Sequence, residues 1–144
     1  MKVERDVIEG KLDIIERNLK FLNEYKTASP RRFVKSYKDV QAVKHSLLEI
    51  MEACIDIANH IISAKGYRRA EEYSEMFEIL KEERIIRKEL ANKLEDMARF
   101  RNLLVHRYGD IDNERVLDIV KRDLRDVVEF EKEIEDFLDK EAHR

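Results

Sequence analysis

The sequence predicts an all-α fold, an antiparallel bundle of four long helices with one short additional helix. Three observations carry this. Apolar residues recur every three or four positions along most of the 144 residues, only three Gly and one Pro interrupt the chain, and the stretches between apolar stripes are short. A β-sandwich or barrel needs turn residues every ten positions or so, and a Rossmann or P-loop site needs a glycine cluster at a strand-to-helix turn, so both classes are excluded. The length fits one domain, 1–144, with its own core.

Each element follows from its spacing. Val3, Val7, Ile8, Leu12, Ile15, Leu19 and Leu22 form one stripe and make residues 3–22 the first helix. Ser29 followed by Pro30 is an N-cap with proline at the first helical position, so a second helix starts near Pro30, with a break expected around Ser36 to Asp39. Its body, Val40 to Ala64, is apolar nearly all round and therefore buried on several sides. Gly66 ends it. Tyr73, Met76, Phe77 and Leu80 define a short helix within Glu71 to Leu80. The fourth long segment runs from Arg87 to Tyr108 on the stripe Leu90, Leu94, Met97, Leu104 and Val105, with Gly109 as its stop. Asp112 caps the last helix, Asn113 to about Glu141, whose stripe includes Val116, Val120, Leu124, Val127, Val128, Ile134, Phe137 and Leu138.

Charge and cysteine usage narrow the function classes. The 29 basic and 32 acidic residues leave a net charge of −3, so no global field coats the protein with nucleic acid, and any RNA contact must be local. Cys54 is alone, which excludes a disulfide framework and a thiolate metal cluster and makes a reducing compartment the expectation. No unbroken apolar run offers a membrane span or signal peptide, so a cytoplasmic protein without membrane contact is expected. No His-Glu-x-x-His, di-iron Glu-x-x-His, Gly-Lys-Ser/Thr or Gly-x-Ser-x-Gly motif occurs; neither a metal nor a cofactor is expected.

The chemistry concentrates at Arg99 to Tyr108. Stepping four residues on from Met97 lands on Arg101, so a guanidinium stands where the stripe calls for an aliphatic side chain, and a buried Arg demands an anion. Glu49, Glu52, Asp56 and Asn59 form a polar seam on the apolar second helix that can supply it, with Glu52 and Asp56 as the supporting carboxylates. His106 lies about 140° round an ideal helix from Arg101. Either the helix loosens near Gly109, or His106 faces a second subunit with Asn102 and Leu103, where a two-fold axis would gather two copies of Arg101, Asn102 and His106. These side chains suit RNA cleavage without metal: the imidazole takes the proton of a ribose 2′-hydroxyl, and the guanidinium holds the scissile phosphate. The Arg–carboxylate pair is equally compatible with a purely structural clasp, whose carboxylate would then cost about 3 kcal/mol to remove.

The run Arg101-Asn102-x-x-x-His106-x-Tyr108, with Ile57-Ala58-Asn59-His60-Ile61-Ile62-Ser63 on the second helix, resembles the HepT-like toxins of the HEPN superfamily of α-helical ribonucleases. The resemblance spans nearly the whole chain in length and helix order. It implies a HEPN-like bundle and an endoribonuclease toxin of a toxin–antitoxin pair, usually a homodimer with the motif at the subunit interface. Arg101 and His106 would then be the catalytic pair and Asn102 a positioning residue. Tyr108 would accept AMP from a cognate minimal nucleotidyltransferase antitoxin of the MntA kind, whose added charge and bulk would block the site. A non-catalytic helical module that partners such a nucleotidyltransferase is the alternative.

Overall fold

The computed structural model describes residues 2–143. Seven helices follow in order: α1 (Arg5–Leu22), α2 (Pro30–Lys35), α3 (Tyr37–Lys65), α4 (Tyr73–Glu82), α5 (Lys88–His106), α6 (Asn113–Arg122) and α7 (Leu124–Ala142). Single 3-10 turns occupy Asn23–Tyr25 and Tyr108–Asp110. There is no strand among the described residues.

The four long helices close a ring in which α1 packs on α3, α3 on α5, α5 on α7 and α7 on α1. Polar links fix their directions. The Ser46 hydroxyl near the start of α3 donates to Asn18 near the end of α1, while His60 near the end of α3 accepts the Glu4 amide just before α1, so these two run antiparallel. Arg5 at the start of α1 meets Asp139 at the end of α7. Lys44 near the start of α3 donates to the carbonyl of Tyr108, just past α5. Fifteen of the 29 residues of α3 are buried, against five of eighteen in α1, which makes α3 the central helix that its all-round apolarity predicts.

The helix boundaries follow identifiable chemistry. Ser29 accepts from the Arg32 amide with Pro30 at the first position of α2, and Ser36 both ends α2 and caps α3 by accepting from Asp39. Gly66 closes α3 in the left-handed conformation, φ 66°, which costs glycine nothing. Asp112 caps α6 through the Glu114 amide at 3.0 Å.

Several expectations are corrected. Three short helices accompany the four long ones, not one. The last helix is two: α6 packs on α2 and α3, α7 on α5 and α1, and the chain turns at Asp123 because one straight rod cannot lie along both surfaces. The segment from Arg87 stops at His106, two residues short of Tyr108, so Gly109 lies in the following turn and is not the stop. Val7, Tyr73, Val105 and Val128, assigned to core stripes, are exposed, whereas Phe100 is buried.

One carboxyl is buried without a cation. Glu131 on α7 is 9% exposed and meets Glu16 of α1. Burial first, then the hydrogen bond and charge of Glu16, push its pKa up to about 8. Above the ordinary carboxylate range the folded protein therefore holds a proton that the unfolded chain has released. The associated stability is complete at acid pH and is lost as pH rises through about 8. Glu131→Gln is expected to raise Tm by roughly 5 °C at alkaline pH and to have little effect in acid. Thermal melts across that range check this; a Gln variant no more stable than wild type at alkaline pH contradicts it.

Candidate active site

Arg101 sits on the inward face of α5, one turn beyond Met97 and in line with the buried Leu90 and Leu94. Its side chain is 14% exposed. Three elements hold it: Nε donates to Glu52 Oε1 of α3 at 2.5 Å, the guanidinium stacks over the Tyr73 ring of α4 with its carbon 4.7 Å from the ring centroid, and Nη1 donates to Asn102 Oδ1 of α5 at 3.1 Å. The predicted anion is thus Glu52. Its side chain is 39% exposed, so water already solvates part of the carboxylate and its loss costs less than full burial would imply.

The rest of the seam serves other partners. Asp56 pairs with Lys11 of α1 at 2.9 Å and does not orient Arg101, which corrects its predicted role. Glu49 pairs with His45 at 3.0 Å and lies 3.9 Å from Arg17. Two arginines of this segment are paired, Arg99 with Asp96 at 2.9 Å and Arg101 with Glu52 through Nε, while Arg107 forms no ion pair among the described residues.

His106 is the last residue of α5, exposed, and its imidazole forms no hydrogen bond or ion pair among the described residues. The Arg107 amide donates to the Leu103 carbonyl at 2.7 Å, so the helix stays regular up to His106 and does not loosen there. Of the two alternatives posed by the spacing, an outward-facing imidazole remains. Leu103 and Val105, exposed by 38% and 43%, flank it with apolar surface.

Tyr108 lies in the turn after α5. Its hydroxyl donates to Gln41 Oε1 at 3.0 Å, its carbonyl accepts from Lys44 Nζ at 3.0 Å, and the same ammonium lies 4.4 Å from its ring centroid. Tyr37, Gln41 and Lys44 share one face of α3 at spacings of four and three, and line a cavity of about 380 Å³ with Lys35, Tyr108 and Asn113. Burial lowers the Lys44 amine and raises the Tyr108 phenol, with Tyr37 adding to the latter. Gln41, Lys44 and Tyr73 escaped the sequence reading. A lysine and a glutamine at helical spacing on an otherwise apolar face were the available signal for two of them.

The fold agrees with the comparisons. A model of the HepT-like ribonucleases matches residues 15–134. The chain belongs to the HepT-like ribonuclease family. It is 35% identical over 122 residues to a protein of Archaeoglobus fulgidus, covering 85% of this chain and 91% of that one. It is 29% identical over 136 residues to the tRNA nuclease HepT of Aphanizomenon flos-aquae, covering 94% and 92%. Among solved structures, the tri-AMPylated HEPN toxin of Shewanella oneidensis in complex with its MNT antitoxin superposes with a TM-score of 0.83 at 27% identity, covering 92% of this chain and 98% of that one. The HEPN-type bundle of this HepT-like ribonuclease is therefore shared with a toxin.

The clasp gives a stability test. Glu52→Ala is expected to cost about 1–2 kcal/mol by leaving the largely buried Arg101 charge without its carboxylate, whereas Arg101→Met should change stability by less than about 1 kcal/mol. Denaturant titration of both variants checks the order; the reverse order would mean that Glu52 does not hold Arg101.

Proposed function

We propose that the protein is a metal-independent endoribonuclease toxin that acts as a cytoplasmic homodimer and is neutralised by AMP transfer to Tyr108 from a nucleotidyltransferase antitoxin. The observation that carries this is the division of labour at the end of α5: Arg101 fixed by Glu52 and Tyr73, and an unpartnered His106 on the outer surface between exposed Leu103 and Val105. Membership of a ribonuclease family and the antitoxin complex of the Shewanella relative support the class of reaction and of partner.

His106 takes the proton of a ribose 2′-hydroxyl as its oxygen attacks the adjacent phosphorus, and the 5′-oxygen leaves as a hydroxyl, protonated by the second copy of His106 or by water. Arg101 stabilises the charge on the non-bridging oxygens, and Asn102, bonded to its Nη1, positions it. The apolar strip around Leu103 and Val105 is the proposed dimer contact, which brings the two copies together. Tyr108 is held above the ordinary phenol range and is protonated at neutral pH. A base is therefore needed to take its proton during modification. AMP on Tyr108 adds a negative phosphate and a bulky nucleoside beside the path of the RNA.

Three outcomes are expected. Arg101→Ala and His106→Ala each lower RNA cleavage at least about 100-fold while the thermal melt of His106→Ala stays at the wild-type value; unchanged cleavage refutes the catalytic assignment, and wild-type protein that cleaves no RNA favours the binding-module alternative. Tyr108→Phe keeps cleavage but gains no AMP when incubated with a cognate nucleotidyltransferase and ATP, read by mass spectrometry. Leu103→Glu with Val105→Glu yields a monomer by light scattering and loses cleavage with it; a dimer that survives the substitution places the interface elsewhere.

A further inference from the structure

Residues 26–44 carry six cations, Lys26, Arg31, Arg32, Lys35, Lys38 and Lys44, against one carboxylate, in a chain whose net charge is −3. That carboxylate, Asp39, is occupied by the Tyr25 hydroxyl at 2.9 Å. None of the six cations forms an ion pair among the described residues, and Lys26, Arg31, Arg32, Lys35 and Lys38 are exposed. This contrasts with the end of α5, where Arg99 and Arg101 are both taken up by carboxylates.

The fold places further cations at both flanks of this segment. Helix α2 packs on α6 on one side and on α3 on the other. On the α6 side, Lys26, Lys121, Arg122 and Arg125 line a cavity of about 310 Å³ whose other walls are Val120 and Leu124. On the α3 side lies the cavity of Lys35, Tyr37, Lys44 and Tyr108. Neither has a carboxylate in its lining, whereas the cavity between α5, α6 and α7 is rimmed by Asp96, Asp118, Asp123 and Asp126. Tyr37, at the α3 end, is 78% exposed and offers a free ring face.

We propose that this strip, from Arg125 and Arg122 across Arg31, Arg32, Lys35 and Lys38 to Tyr37, is the track on which the RNA backbone docks on its way to the turn at Tyr108. It rests on the ribonuclease function proposed above and adds where the substrate lies. A row of unpaired cations matches the repeating phosphates of RNA, and an exposed aromatic ring at its end suits stacking of an unpaired base. A protein partner is the weaker occupant, because docking of a protein relies on an apolar or aromatic centre and Tyr37 is the one large exposed apolar side chain among the described residues of the strip. Modification of Tyr108, at the exit of the track, would then stop RNA from reaching the site.

The test uses the full chain with Arg31, Arg32, Lys35 and Lys38 all changed to Gln, and a separate Tyr37→Ala variant. A fluorescein-labelled single-stranded RNA is titrated by anisotropy at several salt concentrations with each change in the His106→Ala background, and cleavage kinetics are measured with His106 intact. The fourfold variant is expected to bind at least about 30-fold more weakly at low salt, with a slope of log K against log salt shallower by about three, and to raise KM while kcat stays within about twofold. Tyr37→Ala should weaken binding without changing that slope. Lys132→Gln with Lys140→Gln on α7 should leave both unchanged. If the wild type cleaves RNA but the fourfold variant keeps its affinity, slope and KM, the track is refuted and the ribonuclease stands. Loss of affinity for the nucleotidyltransferase with RNA binding intact refutes it as well, and assigns the strip to the protein partner. If the wild type neither binds nor cleaves RNA, both proposals fall together.

Discussion

The contact between Arg101 and Glu52 sets the rotation of α5, and the functional surface depends on that rotation. A stripe of Leu90, Leu94 and Met97 alone would let the helix turn by some tens of degrees without losing much apolar contact. A guanidinium bonded to α3 and stacked on Tyr73 of α4 removes that freedom, because turning α5 would break both contacts. Once Arg101 points inward, a regular helix sends the residue five positions on to the other side, and His106 leaves the core together with Leu103 and Val105. The same pair that looks like a structural clasp therefore also aims the imidazole.

A second constraint acts just beyond the helix end. The chain cannot continue as helix past His106, because Tyr108 is drawn onto α3, where its hydroxyl meets Gln41 and its carbonyl and ring meet Lys44. Lys44 is 4% exposed and has no carboxylate, so its charge is balanced only by the Tyr108 carbonyl dipole and ring face. The tyrosine and its turn are thus fixed by a cation that is itself costly to bury. The basic strip along α2 and α3 ends at this cation. Charge that almost cancels over the whole chain is in this way sorted by the fold: carboxylates occupy Arg99 and Arg101 of α5, while the cations of residues 26–44 form no ion pair among the described residues.

Much of the architecture was legible because it rests on local chemistry. The stripes of α1 and α3, the caps at Ser29 and Asp112, the break near Ser36 and the stop at Gly66 each need only residues close in sequence. The break at Asp123 was not legible, since no Gly or Pro marks it and its cause is two packing surfaces lying in different directions. The early end of α5 likewise follows from Gln41 and Lys44, more than sixty residues away. At the site, Arg101 was readable as a charge out of place on an apolar stripe, and Glu52 followed from it. Asp56, one turn along the same seam, could not be assigned from spacing, because the choice between Arg101 and Lys11 depends on which neighbouring helix that side of α3 meets.

In the proposed reaction, side chains of this fold cut RNA by way of its own 2′-hydroxyl. The most direct measurement is the chemistry of the ends left when purified protein cuts an oligonucleotide in the presence of EDTA, compared with the same oligonucleotide carrying a single 2′-deoxy sugar at the cleaved position. A 2′,3′-cyclic phosphate and a 5′-hydroxyl are expected from the first, and no cut at that position in the second. A 5′-phosphate end, or equal cleavage beside the deoxy sugar, would contradict it.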